Sequence, residues 1–348
     1  MPFSRTTPLS RRGLLAAGGA AGLGALLTAC GSGGGGGSDT GAGAKAGGPW
    51  SFTDDRKKEL TAKTVPSRVV AFTGAAAALV DFGLDRQIVG VFGETKTADG
   101  KADPQAGGLA IDKVEILGNV WGEFSIEKYA ALRPELLVTH MYDPDAFWYV
   151  PDESKDKILQ LAPTAVVTTA RVPMTQPIEH YAKLAESLGA DLTAKKVTDA
   201  KARFEAAAEN LRQVAKAAKA AGGIKVMAAS GSPDLFYVSN PKVSTDLMYF
   251  AELGVDFVQP TKLEGGDYFE SLSWENAGTF PADLILLDNR STALQPKDLA
   301  AKPAWGQLPA VKAGQVTPWD AVPRFSYAGA APLLENLAKA IQNAKKLS

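Results

Sequence analysis

From position 68 onward, short apolar runs alternate with stretches of helical periodicity. Residues 68–72 (RVVAF), 87–92 (QIVGVF), 135–139 (ELLVT) and 164–168 (TAVVT) are too short and too uniformly apolar for surface helices, and they read as buried strands. Residues 74–84 and 154–161 carry helical patterns between them. The alternation predicts an α/β lobe built on a largely parallel sheet. The rhythm then breaks. Residues 191–221 run without Pro or Gly and are rich in Ala, Lys, Glu and Arg, so they favour one long helix stopped by Gly222-Gly223. At 1.5 Å per residue such a helix spans about 45 Å, which suits a rigid strut between two lobes. Beyond it the strand pattern resumes at 224–230 (IKVMAAS), 235–239, 283–288 (DLILLD) and 316–319. An amphipathic helix follows over about 327–346, with Leu333, Leu334, Leu337 and Ile341 at helical spacing.

The two halves echo each other. Ser125-Ile126-Glu127 starts a helical segment that leads through Pro134 to Glu135 and an apolar run. Ser273-Trp274-Glu275 leads through Pro281 to Asp283 and a second run, 148 positions later. The predicted fold class is therefore α/β: two lobes with mainly parallel sheets, joined by one long rigid helix, with a ligand cleft between them. The expected boundaries are 50–190 for the first lobe, 191–221 for the bridging helix and 222–348 for the second lobe.

The N-terminal pattern is of another kind. Arg11-Arg12 precede a Gly/Ala/Leu-rich apolar stretch over 13–29, which ends at Leu27-Thr28-Ala29-Cys30. A positive start, an apolar middle and small residues before a cut describe an export signal. The paired arginines match a twin-arginine address. The last four residues resemble the bacterial lipobox, which implies lipidation of Cys30 and a signal peptide over 1–29. A marginal membrane helix is the other reading of a stretch this length. Residues 30–49 are dominated by Gly, Ser and Ala, with five consecutive glycines at 33–37, and read as a flexible tether. The expected location is the extracytoplasmic face of the cell membrane.

Composition narrows the partners. Removing 1–29, with three arginines and no acid, takes the formal net charge from −1 to −4. That modest acidity argues against nucleic acid. Cys30 is the only cysteine, so neither a disulfide nor a thiolate metal site is available, and two histidines cannot build a multi-His centre. An anchored hydrolase, the reading from another class, lacks its signatures. The nearest approach to G-x-S-x-G is Ala229-Ser230-Gly231-Ser232-Pro233, and neither a phosphate loop nor H-E-x-x-H occurs. The chain does not read as an enzyme, and neither a cofactor nor a resident metal is expected.

The segments Pro66-Ser67-Arg68-Val69-Val70-Ala71, the turn at 79–90 (LVDFGLDRQIVG), Leu117-Gly118, and 125–138 stand in a specific order and spacing. Together they resemble the iron-siderophore, haem and cobalamin substrate-binding proteins of ABC importers, with Glu135 in place of the usual Asp. The resemblance covers about 50–348. It implies a monomeric receptor working with an ABC permease and its ATPase, a ligand between two lobes, and permease docking through one glutamate per lobe, here Glu127 and Glu275. Favourable interaction with a helix dipole is the other reading of those two acids.

Ligands of parallel-sheet proteins sit at the carboxyl ends of strands. The candidate ligand-binding residues collected there are Phe72, Trp121, His140, Tyr142, Trp148, Arg171, Phe236, Tyr268, Trp274, Arg290, Trp319 and Arg324. Aromatic walls with few dispersed cations suit a ferric hydroxamate siderophore, such as a cationic one of the ferrioxamine type, better than a triply negative catecholate. Haem, with His140 or a tyrosine as axial ligand, and cobalamin are the alternatives.

Overall fold

The computed structural model describes residues 48–347. The signal segment, Cys30 and all but the last two residues of the tether lie outside the described residues. Strand β1 (Trp50–Thr53) pairs antiparallel with β2 (Glu59–Ala62). Buried Trp50 fastens this hairpin, its indole N–H donating to Ser187 Oγ at 3.2 Å.

The first sheet contains β3 (Val69–Phe72), β4 (Ile88–Phe92), β5 (Glu115–Ile116), β6 (Leu136–Met141) and β7 (Thr164–Thr168). Its order is β5-β4-β3-β6-β7, with every pair parallel. All of β3 and all of β6 are buried, as expected of parallel strands covered on both faces. The helix Thr73–Asp81 follows β3 directly. Its run of small residues lets it lie close against its neighbours, and only Asp81 escapes full burial.

The second sheet comprises β8 (Lys225–Gly231), β9 (Leu235–Ser239), β10 (Asp256–Phe257), β11 (Phe269–Ser273), β12 (Leu284–Asp288) and β13 (Val316–Trp319). Its order is β11-β9-β8-β12-β13, with β10 also paired to β8. Here β10, β8, β12 and β13 pair in parallel, while β9 alone is reversed and pairs antiparallel with both β8 and β11. The turn from β8 to β9 is far too short for a crossover, so β9 must reverse. Ser232 N–H closes it on Leu235 O at 2.8 Å.

The bridging helix is Lys195–Ala220, 26 residues or about 39 Å. It begins later than 191 because the Asp191 carboxylate folds the chain into a turn, accepting from Thr193 N at 2.9 Å and Thr193 Oγ1 at 2.6 Å. Its apolar face lies along the C-terminal helix Tyr327–Asn343, where Arg203 forks onto Glu335 with both contacts at 2.7 Å.

One buried cluster runs through the first sheet, both long helices and one face of the second sheet, through Val226, Ala228, Leu284 and Leu286. Met227, Ala229, Ile285 and Leu287 point the other way, into a second cluster with Phe236, Trp274 and Trp305. The two-residue period of strands makes this division.

The sequence echo has a structural counterpart. Glu135 N–H donates to Arg68 O at 2.9 Å, and its carboxylate accepts from Ser67 N at 2.6 Å. Asp283 N–H donates to Lys225 O at 2.8 Å, and its carboxylate accepts from Lys225 N at 2.7 Å. Each acid thus ties the start of one strand to the strand beside it. The segments ahead differ: Ser125 caps the α-helix Ile126–Ala131, whereas Trp274–Thr279 is a 3-10 helix without a side-chain cap.

Candidate functional site

A cavity of about 780 Å³ opens beyond the carboxyl ends of β6, β7, β8, β12 and β13, between the two sheets. Tyr142, Thr169, Ser232, Arg290 and Ala321 line it, each lying one or two residues past a strand end. Its volume falls in the range of small-molecule sites.

One side is aromatic. Tyr142 lies 4.5 Å from Trp148 between ring centroids and 6.2 Å from Tyr268 across the cleft. Trp121 meets Trp148 edge-on at 4.9 Å and Tyr149 at 5.1 Å, yet remains 65% exposed. It is presented by a turn pinned through Asn119, whose Oδ1 accepts from Thr95 N and Lys96 N at 3.0 and 2.8 Å. Gly118 allows that turn to close, because a Cβ there would sit 2.2 Å from the Glu123 carbonyl oxygen.

The polar groups come mainly from the second sheet. Arg290 Nε lies 3.0 and 3.1 Å from the Asp288 carboxylate oxygens, and its Nη2 lies 2.6 Å from Oδ2. Ser230 Oγ donates to the same Oδ2 at 3.0 Å. Burial works against the Arg290 charge, but the Asp288 contacts outweigh it and hold the guanidinium firmly protonated. Asp246 lies in the first turn of the helix Thr245–Glu252, and its Oδ2 accepts the Trp319 indole N–H at 2.5 Å. Burial pushes its carboxyl up to about 7, against the opposing pull of that hydrogen bond. Burial likewise raises Glu94, against the nearby Arg290 charge.

At the rim a clasp joins the lobes. Arg171 Nη1 donates to Asp143 Oδ1 at 2.7 Å and to Tyr268 Oη at 3.1 Å, while Nη2 donates to Gly266 O at 2.6 Å. Tyr268 Oη donates in turn to Tyr142 O at 3.1 Å.

Of the twelve candidates, Trp121, Tyr142, Trp148, Tyr268, Arg290 and Trp319 line the cavity, and Arg171 stands at its rim in the clasp. The other five lie elsewhere. Phe72 is the last residue of β3 and His140 an inner residue of β6, both fully buried. His140 is enclosed by Phe72, Tyr142, Tyr181 and Phe325, with neither ring nitrogen hydrogen-bonded, and burial lowers it to about 3. Phe236 packs against Trp274 and Trp305 on the far face of the second sheet. Arg324 pairs with Asp81 at 3.4 Å beside a smaller cavity of about 100 Å³. Asp288 and Asp246 line the main cavity without having been singled out. Asp288 ends a predicted strand, so the strand-end rule could have found it. Among the described residues no group of three or more His, Cys, Asp or Glu is arranged to hold a metal ion.

Glu127 and Glu275 are both exposed, each two residues after a serine that hydrogen-bonds it. Among the described residues no helix is long and apolar enough to cross a membrane.

The chain matches the family model described as "Periplasmic binding protein" over residues 69–323. It is similar to the crystal structure of DesE, a ferric-siderophore receptor protein from Streptomyces coelicolor, with 52% identity and a TM-score of 0.82, covering 86% of this chain and 100% of that one. The siderophore periplasmic binding protein from the fuscachelin gene cluster of Thermobifida fusca shares 20% identity, with a TM-score of 0.55 over 80% of this chain and 96% of its own. The petrobactin-binding protein YclQ from Bacillus subtilis shares 18% identity, with a TM-score of 0.59 over 85% and 98%. These last two likenesses concern the fold alone. No curated protein matches the chain.

Proposed function

The chain belongs to the periplasmic binding protein family, whose members are substrate-binding receptors and not enzymes, and on that footing we propose that it captures a ferric siderophore in its inter-lobe cavity. The iron arrives held by its chelator and is substrate, with no cofactor involved. The likeness at 52% identity to a ferric-siderophore receptor supports this reading.

One observation carries the choice of chelate: Arg290, the cation in the cavity lining, is already matched by Asp288. Arg171 at the rim is matched by Asp143, and Asp152, Glu153 and Asp246 add further carboxyls to the lining. A ferric tris-catecholate brings three negative charges into that surrounding and finds no excess of positive charge. A ferric tris-hydroxamate is neutral at the metal. Its apolar flanks suit the aromatic side, and its oxygens can accept from Arg290.

Delivery follows the family pattern. Glu127 and Glu275 are the proposed permease contacts, with transport driven by the partner ATPase, and the protein acts as a monomer. Lipidation of Cys30 after twin-arginine export would hold the receptor near its permease at high effective concentration. Labelled-fatty-acid incorporation that disappears in Cys30→Ala would support the anchor. The ligand reading is tested by equilibrium dialysis against radio-iron chelates, followed by recovery of the bound complex. An intact ferric hydroxamate is expected; retention of ferric catecholate in preference to it would overturn the choice.

A further inference from the structure

The carboxyls of the cavity lining are not alike. Asp143 is paired with Arg171 and Asp288 with Arg290, while Asp152 and Glu153 are exposed at the mouth. Asp246 is 1% exposed and, among the described residues, has no cationic partner. Its side-chain bond is the neutral Trp319 indole N–H, supplemented by backbone amides at the start of its helix. A buried carboxylate without counter-charge is unfavourable unless something brings the charge to it. The cavity lining therefore holds a matched cation at Arg290 and an unmatched acid at Asp246.

We propose that Asp246 receives a primary ammonium group carried by the ligand, and so selects ferric hydroxamates that have a free amine over those in which it is blocked. This rests on the ferric-hydroxamate reading above. The ionisable groups around Asp246 leave the role to it. Asp320, just beyond Trp319, is a second acid that disfavours its ionisation. Tyr142, from the first sheet, stays a neutral phenol because burial raises it. Arg290 is held by Asp288 across the same cavity. Burial places Asp246 at about 7 in the free protein, so an ammonium must draw its proton off to pair with it. Affinity for an amine-bearing chelate then rises with pH through neutrality, while affinity for the blocked chelate does not.

The test uses the full protein with ferrioxamine B, which carries one free primary amine, and its N-acetyl derivative, titrated from about pH 5.5 to about pH 8.5. The amine-bearing chelate is expected to bind about tenfold more tightly at the alkaline end. That advantage should shrink as pH falls below about 7. In Asp246→Asn it should vanish at every pH while the acetylated chelate still binds, because an Asn carbonyl can still accept the Trp319 indole N–H. Equal binding of the two chelates by the wild-type protein overturns the proposal and needs no variant. An amine advantage that survives Asp246→Asn overturns it as well. Strong binding of the acetylated chelate with no amine advantage defeats this inference alone; failure of both chelates to bind removes the hydroxamate reading and the inference with it.

Discussion

Arg290 and Asp288, two residues apart at the end of β12, form a forked pair in which Nη2 and Nε both reach the carboxylate, the closest contact being 2.6 Å. Asp288 is fully buried and also accepts from Ser230, so the guanidinium is held in place before any ligand arrives. In Arg290→Ala a charge-assisted bond to the ligand is lost and Asp288 is left buried and unpaired. The expected loss is about 1.5–3 kcal/mol of binding, or roughly ten- to a hundredfold in Kd. Arg290→Lys should not restore it, since an ammonium cannot reproduce the fork. Wild-type affinity in Arg290→Ala, measured by titration with a ferric tris-hydroxamate, would remove Arg290 from the site.

His140 supplies a prediction about acid stability. Its ring is lowered to about 3 in the folded protein by burial, against 6.5 for the ordinary side chain. Below about 6.5 the unfolded chain takes a proton that the folded chain refuses. Stability present above that pH is therefore lost as pH falls toward about 3, at up to about 1.4 kcal/mol per pH unit. Asp246 acts oppositely, since its raised carboxyl makes the folded state the better proton binder between its ordinary 3.8 and about 7. The informative quantity is thus the difference between His140→Phe and wild type in urea unfolding. That difference should grow in favour of the variant as pH drops, because no hydrogen bond of His140 is sacrificed. Parallel curves would contradict it.

The proposed docking acids allow binding and transport to be tested separately. Glu127→Ala with Glu275→Ala should abolish iron uptake in cells, yet leave ligand affinity and melting temperature unchanged, since both side chains are exposed and neither lines the cavity. A fall in affinity would sink the assignment.

Lobe movement should be small. The long helix packs along the C-terminal helix, Arg171 N–H donates to Val243 O at 2.8 Å, and Met174 N–H donates to Thr245 O at 2.9 Å. These ties cross between the halves in addition to the clasp at Tyr268. Small-angle scattering of the protein should change little on saturation with ligand, and a strong contraction would count against the account.

Much of the fold was legible because buried strands announce themselves. Thr164–Thr168, Leu235–Ser239 and Val316–Trp319 fall at the limits the apolar runs suggest. The β1–β2 hairpin and β11 were not legible, because their sequences, such as Phe269–Ser273 (FESLS), intersperse apolar with polar residues and carry no continuous apolar signal. In the site, the strand-end rule reached Tyr142, Arg290 and Trp319. It placed His140 beyond its strand, whereas β6 runs to Met141; Phe72, the last residue of β3 as expected, also turns into the core. Asp246 gave no local signal at all. It reaches the cavity through a tertiary bridge between Ala170 and Ser244, which no stretch of neighbouring residues encodes.

The most direct test of the central claim is a tryptophan-fluorescence titration with a ferric tris-hydroxamate, a ferric tris-catecholate, haemin and cobalamin in parallel. Trp121, Trp148 and Trp319 all line the cavity, so a bound ferric chelate must quench them. The account predicts saturable submicromolar quenching by the hydroxamate, with the catecholate much weaker. Saturation by the catecholate, haemin or cobalamin with silence from the hydroxamate would contradict it.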